Sequence, residues 1–257
     1  MYSAHKTVLN NLIQKSESVI KPWFASRSLE IEHKSDATPV TIADREAEAA
    51  MRKIISSTFP DHGIIGEEFG STNPEADYVW VLDPIDGTVT FASGCPLFGT
   101  LIGLLHKGKP VLGAINLPAL GQCYIGDNQT TTLNGTIVKM RPALPFEETT
   151  VLCTCIKSVD EYQSRKQFDA LLARTHLFRT WGDCYGYTLL AGGWADIMLD
   201  PIMNPWDIIA LIPVIRGAGG VITTWDGKDP VAGDSIIAAR PEHHSEVLQI
   251  FNDCRVS

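Results

Sequence analysis

The chain has 257 residues, of which 44% are hydrophobic and 20% charged, and its formal net charge is -9 at pH 7. This composition is ordinary for a globular protein with a substantial core. The acidic balance argues against nucleic acid or an anionic membrane surface as a partner. Because no signal-peptide core or uninterrupted apolar span is visible, we expect a cytoplasmic protein.

The first part of the chain predicts two amphipathic helices followed by strands. Apolar residues recur at helical spacing from Val8 to Phe24 and from about Thr41 to Ser57, as expected for helices with one buried face. Short apolar runs then predict four strands: Tyr78–Leu82, Phe98–Leu105, Val111–Leu117 and Gln122–Ile125. The short loop at Lys107–Lys109 predicts that the second and third of these strands pair antiparallel.

A break at Arg141–Pro145 precedes a part of the chain in which strands and helices alternate. We therefore predict two halves, residues 1–143 and 144–257, in a mixed α/β (α+β) fold. The strands predicted in the second half are Thr149–Ile156, Ala195–Leu199, Gly220–Thr223 and Ser235–Ala238. The helices predicted there are Val159–Arg174, Asp183–Ala191, Pro205–Arg216 and Pro241–Phe251.

The most informative segment is Asp83–Thr88, which reads Asp-Pro-Ile-Asp-Gly-Thr and follows the predicted strand that ends at Leu82. Two carboxylates this close repel each other unless a cation lies between them. A hard divalent ion such as Mg²⁺ takes oxygen ligands and leaves room for the oxygens of a phosphate group. The alternative is that Asp86-Gly87 is only the turn of a hairpin.

Further acids also lie at predicted element ends. Glu67 and Glu68 are bracketed by glycines, and Asp207 opens a predicted helix. Each has an ordinary explanation as well, since the glutamates could be solvated turn residues and Asp207 a first-turn acid favoured by the helix dipole. Asp44 follows Thr41 at the spacing of a capping box, so it could be a helix cap or a functional acid.

Three motifs, taken in chain order, resemble the inositol monophosphatase family of metal-dependent phosphatases: Gly66-Glu67-Glu68, Asp83–Thr88 and Trp206-Asp207. Three flanking motifs are most similar to its histidinol-phosphate phosphatase branch: Ser35–Thr41, Pro96–Ile102 and Trp181–Tyr187. The resemblance implies a five-layer αβαβα sandwich with two mixed sheets and an active site between the halves. It also implies a homodimer that acts on a small phosphorylated substrate.

The resemblance further implies two or three Mg²⁺ ions at the site. Their ligands would be the backbone carbonyl of Ile85 and five carboxylate side chains: Glu67, Asp83, Asp86, Asp207 and Glu68. Asp83 would bridge two ions, and Glu68 would support a weaker third. Because the chain is acidic, such cations are needed to make the field at the site attractive to a phosphate ester.

Catalysis would use a water on the first metal ion. The catalytic residues implied by the resemblance are Asp44, Thr88 and Glu67, with the Thr88 hydroxyl donating a hydrogen bond to Asp44. We expect the backbone N–H groups of Gly87 and Thr88 to hold phosphate oxygens.

The resemblance also implies that Asp183, Asp200 and Asn204 contact the leaving alcohol. Two acids there suit a leaving group that carries an ammonium, as histidinol phosphate does, whereas neutral inositol would leave an acid unpaired. Asp183 could instead be a helix cap. We therefore predict a histidinol-phosphatase of histidine biosynthesis; the alternatives are an inositol-1-phosphatase, a fructose-1,6-bisphosphatase or a regulatory binding protein of the same fold.

Overall fold

The structure of the chain is a computed structural model that describes residues 2–26, 31–33 and 39–256. Residues 35–38, most of the motif Ser35–Thr41, lie outside the described residues. The described helices are α1 (Ser3–Ile20), α2 (Ile42–Thr58), α3 (Thr88–Ala92), α4 (Ile156–Tyr162), α5 (Arg165–Leu172), α6 (Asp183–Ala191), α7 (Pro205–Ile208), α8 (Leu211–Gly217) and α9 (Pro241–Val256).

The described strands form a short hairpin and two larger sheets. Their bounds are β1 (Ile31–His33), β2 (Pro39–Thr41), β3 (Gly63–Gly66), β4 (Gly70–Thr72), β5 (Tyr78–Asp86), β6 (Gly99–His106), β7 (Lys109–Leu117), β8 (Gln122–Gly126), β9 (Thr131–Leu133), β10 (Thr136–Val138), β11 (Thr150–Cys153), β12 (Leu177–Arg179), β13 (Ile197–Asp200), β14 (Val221–Thr223) and β15 (Ile236–Ala239). The larger sheet has the order β10-β9-β8-β7-β6-β5-β3-β4, and the smaller has the order β12-β11-β13-β15-β14.

Both of these sheets are mixed, as predicted. In the larger sheet β3 and β5 are parallel and the other neighbours are antiparallel. In the smaller sheet β11 lies parallel to both β12 and β13, and β15 is antiparallel to its two neighbours. The predicted antiparallel pairing across the loop at Lys107 is confirmed by the register of β6 and β7.

Five layers stack in the structure, with buried hydrophobic residues between each layer and the next. On one face of the larger sheet, α1 and α2 pack against Trp80 and Leu82. The opposite face carries Val81, which shares a cluster with residues of α6 and α8 and with Met198 of the smaller sheet. The far face of the smaller sheet packs against α5 and α9. Because each sheet is buried on both faces, its central strands read as unbroken apolar runs.

Two predicted helices are each divided in the structure. The helix predicted at Val159–Arg174 is α4 and α5, because Gln163 is extended and Ser164 caps α5 through a bond from the Gln167 N–H. The helix predicted at Pro205–Arg216 is α7 and α8; Pro213 has no N–H for the carbonyl four residues back, which disfavours one continuous helix.

A strand prediction also needs correction, and some of the observed strands were not predicted. The strand predicted at Thr149–Ile156 ends at Cys153, and Cys155 instead caps α4. The short glycine-rich strands β3 and β4 were not predicted, since residues 63–66 and 70–72 show neither a clear alternation nor a long apolar run. The division of the chain at residue 143 stays a prediction. The central cluster contains residues from both sides of this boundary.

Candidate active site

β5 ends in a bulge that brings two acids to one side of the strand. It pairs with β6 in antiparallel register as far as Asp83, opposite Leu101, and the register then shifts so that Asp86 lies opposite Gly99. Pro84 within the bulge has no N–H to offer the sheet. In a regular strand, side chains three positions apart face opposite sides. The extra residue in the bulge therefore lets both carboxylates face the same point.

The third acid, Asp207, comes from the first turn of α7. Asn204 caps this helix and Pro205 follows it, a position where the missing N–H of proline costs nothing. Asp207 Oδ2 accepts the backbone N–H of Asn204 at 2.7 Å. Asp83, Asp86 and Asp207 each contribute one carboxylate oxygen to a group in which all these atoms lie within 4.8 Å of one another. The structure thus brings the three acids together from distant parts of the chain.

The electrostatics of this group favour either shared protons or a bound cation. Asp83 is 2% exposed, and burial raises its pKa well above the ordinary value, as do the acids around it, Glu67 first. Burial likewise raises the pKa of Asp86 well above its ordinary value and that of Asp207 to about 6. Ionised carboxylates this close in a buried site need a positive charge between them.

The residues fit a hard divalent cation. Every ligand atom in the group is a carboxylate oxygen, and Asp83 Oδ1 is buried without a hydrogen-bond partner among the described residues. An unpartnered buried acceptor is costly in a folded protein unless an ion or water completes it. The described parts of the chain contain no other group of three acids, histidines or cysteines at this spacing.

Glu67 lies beside this group. Its backbone N–H donates to the Leu82 carbonyl at 3.2 Å, which fixes it next to the end of β5. Its carboxylate is close enough to Asp83 and Asp207 to raise the pKa of both. Glu68 is half-buried in the same turn. These positions are compatible with the ligand roles predicted for Glu67 and Glu68, and the roles themselves stay predictions.

A residue that the sequence did not point to, Glu48, holds the turn of Glu67 and Glu68 in place. Glu48 is fully buried on α2, and its carboxylate accepts the backbone N–H of Glu68 at 2.8 Å and that of Phe69 at 3.2 Å. Arg52 Nε donates to the same carboxylate at 2.7 Å. The charge of Glu48 is therefore compensated by three donors, and the turn is anchored to α2.

The close approach of Glu48 explains why Gly66 precedes the turn. A Cβ atom at position 66 would lie 2.1 Å from Glu48 Oε1, so any larger residue would displace the carboxylate. From the sequence alone, Glu48 and Arg52 form an i,i+4 pair of the kind that ordinarily lies on a solvated helix face. No local signal distinguishes this buried pair from a surface pair.

The predicted hydrogen bond from Thr88 to Asp44 is not formed. The Thr88 hydroxyl has one proton and donates it to the Ile85 carbonyl within the turn at 3.1 Å. Asp44 Oδ2 instead accepts the backbone N–H of Thr41 at 2.8 Å and its hydroxyl at 2.5 Å, in a capping box at the start of α2. The capping interpretation of Asp44 is thus part of the structure.

Asp44 also has features that a cap does not need. It is fully buried, and its Oδ1 has no hydrogen-bond partner among the described residues. Burial raises its pKa to about 6, and the nearby charge of Glu67 contributes to this rise. Asp44 therefore borders the acid cluster with one oxygen engaged as a cap and the other available.

A cavity of about 130 Å³ adjoins the acid cluster of Asp83, Asp86 and Asp207. Four acids are among the residues that line it. Asp86 and Asp207 belong to the cluster, Asp183 begins α6, and Asp200 ends β13 of the smaller sheet. Burial raises the pKa of Asp183 and raises that of Asp200 to about 7. The acids predicted to contact a leaving group thus share one cavity with two of the predicted metal ligands.

Two residues hold the carboxylate of Asp200. The Tyr187 hydroxyl donates to Asp200 Oδ2 at 2.8 Å, and the Thr154 N–H donates to Oδ1 at 3.2 Å. Tyr187 is fully buried and lines the cavity, so this aromatic residue belongs both to the core and to the site. Of the other aromatics in the motif, Trp181 is 45% exposed and Tyr185 packs at the edge of the central cluster.

Asn204 and Gly87 take positions with clear structural causes. The Asn204 side chain accepts the N–H of Asp207 as the cap of α7 and is exposed; it is not among the residues that line the cavity. Its predicted substrate contact therefore stays a prediction. Gly87 has φ of 82°, a left-handed conformation that glycine adopts without strain.

Comparison with known proteins agrees with this geometry. A model of the inositol monophosphatase family matches residues 3–255. The bifunctional phosphatase IMPL2 of Arabidopsis thaliana is 44% identical over 85% of this chain, which spans 64% of the length of that relative. A histidinol-phosphatase of Chlorobaculum parvum is 38% identical over 89% of each chain.

A solved structure of an inositol monophosphatase from Zymomonas mobilis superposes with a TM-score of 0.84 at 32% identity, covering 98% of this chain and 99% of that one. Among the described residues, no helix is both long and apolar enough to cross a bilayer. The predicted homodimer and the predicted compartment stay predictions. The match over nearly the full length, together with the converging acids, places this chain in the inositol monophosphatase family, as a phosphoric monoester hydrolase.

Proposed function

We propose that this protein is a Mg²⁺-dependent phosphatase that releases phosphate from L-histidinol phosphate in histidine biosynthesis. The observation that carries the proposal is the presence of Asp183 and Asp200 in the same cavity as Asp86 and Asp207. In this proposal the first pair would meet a cationic leaving group, and the second pair would lie at the phosphate end. Inositol and sugar esters offer these two acids no positive charge.

Two or three Mg²⁺ ions would be held by oxygen atoms only: the carboxylates of Glu67, Glu68, Asp83, Asp86 and Asp207 and the Ile85 carbonyl. When bound, such ions offset the charge of the phosphate group and lower the pKa of a coordinated water. Two features support this assignment: Asp83 Oδ1 has no hydrogen-bond partner among the described residues, and the pKa of Asp83 is raised well above its ordinary value.

The protein's own groups would position the substrate and move a proton. The backbone N–H groups of Gly87 and Thr88 lie directly after the acid turn, where they can donate to phosphate oxygens. Rotation of the Thr88 hydroxyl away from the Ile85 carbonyl would let it donate to the available Oδ1 of Asp44. The Thr88 oxygen would then accept a hydrogen bond from a water that attacks the phosphorus atom.

The charge of the leaving group sets the expected selectivity. An ammonium about 4 Å from one carboxylate gains about 4 kcal/mol before desolvation at an effective dielectric constant near 20. Desolvation removes part of this gain, and a tenfold preference corresponds to about 1.4 kcal/mol. We therefore expect kcat/KM for histidinol phosphate to exceed that for inositol 1-phosphate at least tenfold.

Relatives support both this substrate and a second candidate. Histidinol-phosphatases of Chlorobaculum parvum and Mycobacterium tuberculosis are 38% and 32% identical to this chain. An inositol monophosphatase of Mesembryanthemum crystallinum is 27% identical, so inositol 1-phosphate is the alternative. The fructose-1,6-bisphosphatase alternative lacks support in the cavity, because its lining residues within the described parts of the chain include no Lys or Arg for a second phosphate.

The test is a phosphate-release assay with Mg²⁺ on histidinol phosphate, inositol 1-phosphate and fructose 1,6-bisphosphate. Histidinol phosphate should have the highest kcat/KM, and chelation should abolish release from all three. Equal kcat/KM for the histidinol and inositol esters would refute the substrate assignment while leaving the metal-dependent chemistry intact. Release that survives chelation would refute the metal assignment.

A further inference from the structure

Thr90, in the short helix that follows the acid turn, contacts the opposite half of the chain. Its hydroxyl donates to Asp183 Oδ2 at 2.9 Å, which joins α3 to the start of α6. The two residues are 93 positions apart in sequence. The bond therefore couples one cavity-lining acid directly to the segment that carries Asp83 and Asp86.

The backbone at Asp183 is held in an unusual conformation. Its φ is 48°, which lies in the left-handed region that residues with a Cβ rarely adopt and that costs about 1 kcal/mol or more. The Asp183 N–H donates to Thr154 Oγ1 at 2.9 Å, and the next N–H, of Cys184, donates to Asp86 Oδ2. Both bonds fix the conformation, so the direction of the Asp183 side chain is imposed by its surroundings.

This conformation brings the carboxylate of Asp183 against the acid turn. A Cβ atom placed on Gly87 would lie 2.8 Å from Asp183 Oδ2, so the same oxygen that accepts the Thr90 hydroxyl also packs on Gly87. Thr90 thus engages one oxygen of the carboxylate and leaves the other for a ligand in the cavity.

The chemical type of residue 90 decides what Asp183 can bind. A lysine or arginine at this position would form an ion pair with Asp183 and cancel its charge. A threonine hydroxyl is neutral, so it orients the carboxylate and leaves the negative charge for a cationic ligand. A valine would have nearly the same shape but no donor, and the carboxylate would lose its fixed orientation.

We propose that Thr90 is a positioning residue that determines specificity, because it holds Asp183 in the orientation that binds the ammonium of the leaving group. This inference rests on the proposed function, since it presumes a cationic leaving group. It predicts that removing the Thr90 hydroxyl weakens selection of cationic esters and leaves hydrolysis of neutral esters unchanged.

The test compares Thr90→Val with wild type on histidinol phosphate and on glycerol 2-phosphate, a neutral-alcohol ester. We expect kcat/KM for histidinol phosphate to fall at least tenfold in the variant, chiefly through KM, and that for glycerol 2-phosphate to change less than twofold. Thr90→Ser, which keeps the hydroxyl, should retain the wild-type preference for histidinol phosphate. Thr188→Val is the matched control, because its hydroxyl donates to the Tyr185 carbonyl at 2.7 Å, away from Asp183.

A double-mutant cycle separates positioning from a general structural role. If Thr90 acts through Asp183, adding Thr90→Val to Asp183→Asn should change kcat/KM for histidinol phosphate less than twofold beyond the single Asp183 variant. Additive losses, or equal losses on both esters, would overturn the inference. If wild-type enzyme does not prefer histidinol phosphate, the proposed substrate is refuted instead. The kinetics of the wild-type enzyme alone decide that question.

Discussion

Replacing Asp83 with asparagine should stabilise the metal-free protein while abolishing its activity. Asp83 is 2% exposed and its pKa is raised well above the ordinary value by burial and by neighbouring acids, Glu67 first. In the absence of metal, the folded state therefore holds a proton that the unfolded chain releases near pH 3.9. Each pH unit above that value makes unfolding easier, until the raised pKa is reached. Asparagine has nearly the same shape and no charge, so it removes this cost.

The size of the effect follows from proton linkage. At about 1.4 kcal/mol per pH unit above a reference near 3.9, the removed cost reaches at most about 4 kcal/mol at pH 7 and about 1.5 kcal/mol at pH 5. For a domain of this size, 1 kcal/mol corresponds to a Tm change of about 2–4 °C. We therefore expect metal-free Asp83→Asn to melt above wild type at pH 7, by no more than this ceiling allows, and to differ less at pH 5.

The assay is thermal unfolding with chelator and with excess Mg²⁺ at both pH values. Wild type should gain stability with Mg²⁺, as any ligand of the folded state provides, whereas Asp83→Asn should gain little and show no phosphatase activity at any Mg²⁺ concentration. Asp253→Asn, at an exposed position, is the control and should change unfolding by less than about 0.5 kcal/mol. A metal-free Asp83→Asn protein that melts at or below wild type at pH 7 would refute the reasoning.

Three further predictions concern single groups around the site. Glu48→Gln should weaken Mg²⁺ binding and cost about 1 kcal/mol or more of stability, since a backbone N–H of the Glu67 turn loses its charged acceptor. Calorimetric titration with Mg²⁺ and thermal melts check this prediction, and unchanged affinity would contradict it. Asp44→Asn should lower kcat severely with little loss of stability, because the amide oxygen can still cap α2; a steep fall in Tm with normal specific activity would leave only the capping role. The preference for histidinol phosphate over glycerol 2-phosphate should increase as pH rises through about 7, where Asp200 becomes ionised. Tyr187→Phe should move this change to higher pH, because the ionised carboxylate of Asp200 loses a hydrogen-bond donor. A preference that does not vary with pH would argue against Asp200 as a cation-binding group.

The acids of the candidate metal site could be predicted because their signals are local. Asp83 and Asp86 follow an apolar run and precede glycine, and this short pattern places the acids at a turn. The predicted strand end at Leu82 was wrong, because β5 continues through a bulge to Asp86. The stacking of five layers was predicted from family resemblance, and the sheets confirm it. Residue pattern alone yields only a mixed fold, since it does not state which strands become neighbours.

Contacts between distant segments could not be predicted. Glu48 resembles a surface residue of α2 in the sequence, yet it binds the turn that carries Glu67 because α2 packs across the end of β3. The bond from Thr90 to Asp183 depends on how α3 meets α6, which no short-range pattern encodes. Thr88 donates to the nearby Ile85 carbonyl instead of to Asp44, because a hydroxyl with one proton can satisfy only one of the two acceptors.

The most direct measurement of the central claim is the anomalous scattering of a crystal soaked in Mn²⁺, an ion that takes the same oxygen ligands as Mg²⁺. The account predicts strong peaks among the carboxylates of Asp83, Asp86 and Asp207, with at least one peak in contact with Asp83. An anomalous map without a peak among these three residues, from crystals of protein that hydrolyses phosphate esters, would contradict the claim that they bind the catalytic metal ions.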